Sequence, residues 1–203
     1  MDILLLGSGG REHAIAVSLK RSPLCDTLYV APGNGGTAEI AENVSLDIED
    51  GQAVVDFAKE HGVGLVVIGP EAPLVAGVAD AVRAAGIACF GPGAQGAQME
   101  GSKRFAKEFM ERHGIPTADY RAFESAEPAL AYVDERFEAG VPILVVKADG
   151  LALGKGVVVA ATVEEAEAAV RDMMEGRKFG DSGSTVVIEE CMVGPEVTVL
   201  AFC

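Results

Sequence analysis

The sequence predicts two unlike domains: an open α/β domain with a parallel sheet, followed by a smaller α+β domain. Three observations predict this fold class. Up to about residue 95, short apolar runs alternate with helical patterns, which is typical of parallel βαβ units. The glycine-rich stretch GPGAQG at 91–96 then interrupts the alternation. Beyond it, two strands joined by a glycine loop, with helical segments around them, favour an α+β arrangement.

In the first domain, the strands are short apolar runs and the helices have apolar residues at helical spacing. Strands are predicted at 3–6, 27–31, 65–68 and 88–90. Helices are predicted at 12–20, 52–61 and 76–85, and in the second of these Val54, Val55 and Ala58 share one face. Because ligands of open α/β sheets bind beside the carboxyl ends of the strands, the loops that follow the strands are candidate sites.

In the second domain, helix caps and glycine loops delimit the elements. Ser102 is a candidate N-cap for a helix over 102–113, and the segment from Thr162 to Glu165 matches a capping box that opens a helix to about 175. A further helix is predicted at 126–138. Strands are predicted at 120–123, 143–147, 157–161, 185–190 and 196–202. The last strand has no partner after it, so we expect these residues to be the front part of a longer protein.

The composition narrows the class of protein. Lys and Arg number 16 and Asp and Glu 31, so the net charge is −15. Such a charge argues against a general nucleic-acid or anionic-membrane binder but allows a small phosphorylated ligand. The four cysteines match no zinc or redox spacing, the N-terminal apolar run is too short for a signal peptide, and no apolar stretch reaches the length of a membrane span. We therefore expect reduced thiols and a cytoplasmic protein.

Three glycine-containing loops follow the first three predicted strands. GSGGREH at 7–13 resembles a dinucleotide-binding loop, but Glu12 replaces its third glycine and the second strand lacks a terminal acid. Arg11 beside the loop favours a phosphate ligand, whereas a tight turn without a ligand is the alternative. The loops at 32–37 and 69–74 add Asn34, Thr37 and Glu71, which could converge on one polar ligand or belong to ordinary turns.

The stretch KADGLALGKG at 147–156 indicates a second phosphate site. It differs from a Walker loop because its glycine spacing is one residue short and Gly156 replaces the Ser or Thr. A glycine hairpin between two strands can instead fold over a triphosphate. Lys147 ends an apolar strand and would face the phosphates, while Lys155 is equally consistent with a solvated lysine. Glu189 and Glu190 end another apolar strand and could accept hydrogen bonds from adenine or ribose, or belong to a solvated turn.

Taken together, these stretches resemble the glycinamide ribonucleotide synthetase (phosphoribosylamine–glycine ligase) family, which are ATP-grasp enzymes of purine synthesis. The matching stretches occur in order along the whole chain: GSGGREHA, APGNGGT, GPEAPL, EGSK at 100–103, KADGLALGKGV and VIEE. Members of the family join glycine to 5-phosphoribosylamine through glycyl phosphate, giving glycinamide ribonucleotide, ADP and phosphate. The resemblance thus implies the substrates glycine, 5-phosphoribosylamine and ATP.

The resemblance also implies roles for individual residues. Lys103 and Lys147 would contact the ATP phosphates, and the loop 150–156 would cover them. Glu189 and the backbone at 191–193 would hold adenine, and Glu196 the ribose. The full ATP-binding set implied is Lys103, Lys147, Gly150, Gly154, Lys155, Gly156, Glu189, Glu190, Cys191, Val193 and Glu196. The N-terminal loops would receive the phosphoribosyl group through Gly9, Gly10, Arg11, Glu12, Asn34, Gly35, Thr37 and Glu71.

By the same resemblance, the chain divides into four parts. Residues 1–95 would form a Rossmann-like, pre-ATP-grasp substrate domain, and 96–122 the linker and start of the ATP-grasp core. Residues 123–190 would form the small lid subdomain, and 191–203 the first strand of the return to an incomplete core. The ligands for Mg²⁺ or Mn²⁺ are expected beyond residue 203, with none in this chain and no catalytic residue assigned. We therefore expect the 203 residues alone to be inactive, and the full-length protein to be a monomer.

Other functions are open at this point. Another ATP-grasp carboxylate–amine ligase is the nearest alternative, although GGREHA and GPEAPL favour the glycine ligase. A nicotinamide-dependent oxidoreductase is disfavoured by the missing acid at the end of the second strand. A non-catalytic nucleotide-binding module would bind ATP regardless of a Lys147→Ala substitution.

Overall fold

A computed structural model describes residues 1–151, 156–176 and 183–199 of the chain. The chain divides into two compact units, residues 1–101 (unit 1) and 102–203 (unit 2). In the described residues, no helix is long and apolar enough to cross a membrane.

Unit 1 is built on a parallel sheet of five strands. The strands are β1 (Asp2–Gly7), β2 (Leu28–Pro32), β3 (Glu42–Asn43), β4 (Val63–Ile68) and β5 (Ala88–Phe90), in the spatial order β3-β2-β1-β4-β5. The helices are α1 (Gly10–Lys20), α2 (Gly51–Glu60), α3 (Glu71–Val75), α4 (Val78–Ala84) and α5 (Ala94–Gly101), with a 3-10 turn at Thr37–Glu39. The carboxyl ends of β2, β1 and β4 are therefore neighbours at one edge.

Both faces of this sheet are buried, which explains the continuous apolar runs of its strands. Leu4 and Leu6 of β1 pack with α2 and α4, while Ile3 and Leu5 pack on the opposite face with Ala16 of α1. The short strand β3 was not predicted, because Glu42 and Asn43 are polar and exposed.

The prediction of one helix over 76–85 had the wrong bounds. The structure has two helices there, α3 and α4, separated at Gly77 in the left-handed conformation, with φ of 86°. A left-handed residue ends a helix, and Gly adopts it without strain. The glycine-rich stretch 91–96 is also not purely a boundary, because α5 begins within it. The Asp80 carboxylate accepts a hydrogen bond from the Ala94 N–H at 2.7 Å and so supports the start of α5.

Unit 2 contains an antiparallel sheet of four strands with two helices on one face. The strands are β6 (Tyr120–Phe123), β7 (Leu144–Ala148), β8 (Val157–Ala160) and β9 (Val186–Glu190), in the order β6-β9-β7-β8. The helices are α6 (Lys103–Arg112), α7 (Ala126–Glu138) and α8 (Val163–Met174). Val146 and Ile188 pack against α7 and α8 in the core of this unit.

The helix caps confirm one prediction and modify another. Ser102 is the N-cap of α6, its Oγ accepting a hydrogen bond from the Phe105 N–H at 3.0 Å. Thr162 Oγ1 likewise accepts from the Glu165 N–H at 3.3 Å. The Glu165 carboxylate, however, accepts from the Ala161 N–H instead of the Thr162 N–H, so the capping box is only half formed.

The strand predicted at 196–202 is not found in the described residues, since 191–199 have no regular structure. A strand needs a neighbour to pair with, and among the described residues no strand pairs with 191–199. Residues 200–203 of that prediction lie outside the described residues.

Candidate functional site

Three loops meet at the carboxyl edge of the unit 1 sheet, after β1, β2 and β4. Asn34 Nδ2 donates a hydrogen bond to the Ser8 carbonyl at 2.8 Å, which ties the second loop to the first. Arg11 Nη1 donates to Glu71 Oε1 at 2.9 Å, which ties the third loop to the first. The structure therefore brings together the loops that carry all eight residues predicted to bind the phosphoribosyl group.

Glu12 is buried beneath this edge, with its carboxylate used inside the protein. Its Oε2 accepts from the Gly9 N–H at 2.8 Å and its Oε1 from Arg11 Nε at 2.9 Å. A side chain at Gly9 would collide with this carboxylate, because an added Cβ would lie 2.8 Å from Glu12 Oε2. A Cβ added at Gly69 would collide with the same side chain, at 2.5 Å from Glu12 Oε1. Glu12 therefore fills the region in which a dinucleotide loop has its third glycine.

Arg11 lies between two carboxylates, those of Glu12 and Glu71. The Arg11 guanidinium lowers the pKa of the Glu71 carboxyl, and the two carboxylates raise the pKa of Arg11. The Arg11 side chain is still 55% exposed, and two of its five N–H groups make these contacts through Nε and Nη1. Arg11 thus keeps N–H groups that can donate hydrogen bonds to a phosphate.

Asn34 and Thr37 stabilise their own loop. Asn34 Oδ1 accepts from the backbone N–H groups of Gly36 and Thr37, at 2.8 and 3.0 Å. Thr37 is buried, and its Oγ1 accepts from the Asn34 N–H at 2.7 Å. In contrast, a Cβ added at Gly10 or Gly35 would meet nothing within 4 Å. The space beside these two glycines is therefore open to a ligand.

In unit 2, the second face of the sheet has an apolar and partly open surface. Directly paired residues lie on the same face, so Lys147 shares a face with Val157 and Val187. By the same pairing and the alternation along β7, Val145, Val159 and Glu189 lie on that face too. Val157 and Val159 are 46% and 61% exposed, although they are apolar. We call these six residues the open face.

Three charged side chains meet at the buried end of the open face. Glu189 Oε2 lies 2.9 Å from Lys147 Nζ and 3.0 Å from Lys107 Nζ, which belongs to α6. The Glu189 and Lys107 side chains are 6% and 8% exposed, and Lys147 is 25% exposed. One carboxylate thus pairs with two ammonium groups, and the sum of the three charges is one positive charge.

The start of α6 is joined to the segment after β7. Lys103 Nζ donates to the Gly150 carbonyl at 3.0 Å. Asp149 Oδ2 accepts from Ser102 Oγ at 3.0 Å, and Asp149 Oδ1 accepts from the Arg104 N–H at 3.2 Å. Gly150 has φ of 106°, a conformation that requires glycine. Lys103 is therefore held beside the beginning of the predicted phosphate loop.

The other predicted ATP-binding residues lie around β9 and in the loop itself. The Gly156 carbonyl accepts from the Ala148 N–H at 2.8 Å. The Glu190 N–H donates to the Asp119 carbonyl, and the Glu190 side chain accepts from the Asp119 N–H. In the irregular segment after β9, Val193 and Glu196 are exposed and Cys191 is partly buried. Gly154 and Lys155 lie outside the described residues.

Sequence reasoning missed two residues of this region, Lys107 and Asp149. Lys107 looks like an ordinary surface lysine on an amphipathic helix, and only the packing of α6 reveals that it is buried. A signal for Asp149 was available, because it lies within the matched stretch KADG. Among the described residues, no group of three His, Cys, Asp or Glu side chains could hold a metal ion.

Two family models match the chain from end to end. Residues 1–100 match the N domain of phosphoribosylglycinamide synthetase, and residues 101–203 match its ATP-grasp (A) domain. A phosphoribosylamine–glycine ligase of Escherichia coli O6:H1 is 55% identical over 202 residues, and that of Pasteurella multocida is 54% identical. The match covers 98% of this chain but 46% of each relative, so the chain spans about half the length of these relatives.

Solved structures agree with this assignment. The crystal structure of phosphoribosylamine–glycine ligase from Thermotoga maritima has a TM-score of 0.75 and 29% identity, covering 96% of this chain and 45% of that one. D-alanyl-alanine synthetase A from Vibrio cholerae, at 19% identity, a TM-score of 0.63 and coverage of 95% of this chain and 60% of that one, shows the same fold. The expected fold class, a parallel α/β domain followed by part of an ATP-grasp fold, is therefore confirmed. With both of its units matched, the chain belongs to the phosphoribosylglycinamide synthetase family.

Proposed function

We propose that this chain is part of an ATP-dependent ligase that joins glycine to 5-phosphoribosylamine through glycyl phosphate. The products would be glycinamide ribonucleotide, ADP and phosphate. The observation that carries the proposal within unit 2 is the ion pair of Lys147 and Glu189 on the open face. The 55% identity to a ligase with this name supports the choice of substrates.

The chemistry of the open face suits a nucleotide. Val145, Val157 and Val159 supply an apolar surface of the kind on which an adenine ring packs, and Lys147 supplies a charge for the phosphates. Lys103 lies beside Gly150, at the start of the loop that would cover those phosphates. Fixed cations there would neutralise charge on the transferred phosphoryl group. Within the proposal, Glu189 accepts a hydrogen bond from adenine, and Glu190, Cys191, Val193 and Glu196 complete the site.

The edge of the unit 1 sheet is the proposed site for the phosphoribosyl group. Backbone N–H groups at the start of α1 and the remaining donors of Arg11 would bind its phosphate. We keep the four-part division, with 1–95 as substrate domain, 96–122 as linker, 123–190 as lid and 191–203 as the return to the core. The metal ligands beyond residue 203, the monomeric state and the cytoplasmic location also stay predictions.

The test is a ligase assay on the product of the complete reading frame that contains these 203 residues. With glycine, 5-phosphoribosylamine and ATP, we expect glycinamide ribonucleotide and ADP to form in equal amounts. Lys147→Met should lower kcat/KM for ATP by at least about a hundredfold, since it removes a charge that faces the phosphates.

The matched control is Lys59→Met, which changes an exposed lysine on α2. It should leave the rate unchanged. ATP consumption without amide formation from glycine would contradict the proposal, and activity only with another acid and amine would assign a sister ligase instead. Full activity of Lys147→Met would exclude the open face as the nucleotide site.

A further inference from the structure

Lys107 is a buried cation to which neither the sequence patterns nor the family resemblance assigned a role. Its ammonium donates to Thr117 Oγ1 at 2.8 Å and to the Ala118 carbonyl at 3.1 Å, and it lies 3.0 Å from Glu189 Oε2. An ammonium group has three N–H donors, so these three contacts use all of them. Lys107 therefore has no donor left for a ligand, and any effect it has on a ligand must pass through a neighbour.

The burial of Lys107 requires a reason, because removing an ammonium from water is costly. A single carboxylate next to Lys147 alone would already form a neutral pair. Lys107 places a second ammonium group next to the same oxygen, Glu189 Oε2. Its attachment to Thr117 and Ala118 fixes the position of that charge relative to the backbone before β6.

The other oxygen of Glu189 is differently placed. Within the described part of the chain, Glu189 Oε1 receives no hydrogen bond, whereas Oε2 is held from two sides. A carboxylate fixed at one oxygen by two cations has a defined orientation, and its second oxygen can accept a hydrogen bond from a ligand on the open face. Without Lys107, the Glu189 side chain could rotate and follow Lys147.

We propose that Lys107 is a positioning residue for the nucleotide: it fixes Glu189 so that Oε1 faces the ligand and Lys147 stays directed at the phosphates. This inference rests on the proposed nucleotide site. It predicts that Lys107 contributes to ATP affinity through Glu189, without contact to ATP and without effect on the other two substrates.

The experiment is a double-mutant cycle in the product of the complete reading frame, with Lys107→Met, Glu189→Gln and both together. Affinity is measured by calorimetric titration with a non-hydrolysable ATP analogue, and KM is measured for each substrate. We expect Lys107→Met to weaken analogue binding about tenfold, the size of one lost charge-assisted hydrogen bond. In the Glu189→Gln background the same substitution should change affinity less than about twofold. KM for glycine and for 5-phosphoribosylamine should stay within about twofold.

Arg112→Met is the matched control, since it removes an exposed positive charge from the same helix, α6. It should leave affinity for the analogue unchanged. Lys107→Gln replaces Lys107→Met if the latter does not fold, with the same expectation. An unchanged affinity of the single variant, or an equal loss in the Glu189→Gln background, would overturn the inference. Failure of the wild-type protein to bind the analogue would instead refute the proposed nucleotide site.

Discussion

Glu12 restricts the residues around it, because its buried side chain lies against Gly7, Gly9 and Gly69. These glycines come from the ends of β1 and β4 and from the loop before α1. A Cβ at any of them would collide with the Glu12 side chain. The glycine-rich appearance of the loop thus results partly from an internal carboxylate, and only partly from room for a ligand.

Replacing Glu12 should destabilise unit 1. The loss of stability should be larger for a substitution that removes both the packing and the hydrogen bonds of the side chain than for one that keeps an acceptor oxygen. Glu12→Ala leaves a cavity and removes the acceptor of the Gly9 N–H, so we expect a loss of about 2 kcal/mol in the free energy of unfolding. Glu12→Gln keeps an acceptor oxygen and should lose about 1 kcal/mol. Urea denaturation measures both, with the exposed Glu60→Ala as control. Equal stability of Glu12→Ala and the control would contradict this role.

The pair of Arg11 and Glu71 should make stability depend weakly on pH. Arg11 lowers the pKa of Glu71 below its ordinary value of 4.5, so the pair stabilises the folded state when the pH is above that value. The contribution is lost as the pH falls through the lowered pKa. Glu71 is 40% exposed, so solvent screening limits the effect to less than about 1 kcal/mol.

Glu71→Gln tests this directly. At pH 7 the variant should be slightly less stable than the wild type in urea denaturation. The difference should shrink as the pH is lowered below 4.5 and vanish once Glu71 is protonated in both states. A stability difference between variant and wild type that grows on acidification would contradict a lowered pKa of Glu71.

At the scale of elements, α6 is attached to the segment after β7 by Asp149. The carboxylate accepts hydrogen bonds from Ser102 Oγ and from the Arg104 N–H, so it caps α6 and at the same time holds the residue before Gly150. A negative charge at a helix N-terminus is also favourable to the helix dipole. The start of the predicted phosphate loop therefore has a fixed position relative to α6.

Asp149→Ala should loosen this attachment. We expect a loss of about 2 kcal/mol in stability, because two hydrogen bonds to a charged group disappear. Hydrogen exchange at the Arg104 amide should become faster, since its acceptor is gone. Asp134→Ala, an exposed position on α7, is the control. Unchanged exchange at Arg104 would exclude Asp149 as its acceptor in solution.

At the scale of the whole molecule, each unit has its own hydrophobic core. Residues up to Ala97 form two clusters on either side of the parallel sheet, and residues from Phe123 onward form a third cluster between β-sheet and helices in unit 2. A segment with its own core and no missing strand can fold independently. Residues 1–101 meet this condition.

The fragment 1–101 expressed alone should therefore unfold in a single cooperative thermal transition, measured by circular dichroism. Leu5→Asp is the matched control, because Leu5 is fully buried and a charge there should abolish the transition. A fragment without a transition would show that unit 1 depends on the rest of the chain.

Most strands and helices could be predicted, because their signals are local. Tyr120–Phe123 and Ala126–Glu138 were predicted at their observed bounds, since a strand-like and a helical pattern are readable there in the sequence. The split at Gly77 and the absence of a strand at 196–199 were missed. The first depends on one backbone conformation, and the second on whether a neighbouring strand is there to pair with.

The sequence by itself determined the order of the elements, the glycine loops and the matched stretches, and through them the family. Only the tertiary structure decided which polar groups are free. Glu12, Asn34 and Thr37 are satisfied inside the protein, and Lys107 pairs with a carboxylate 82 positions away in the chain. The physical reason is that burial and hydrogen bonding depend on neighbours brought together by packing, which residue type and local spacing do not encode.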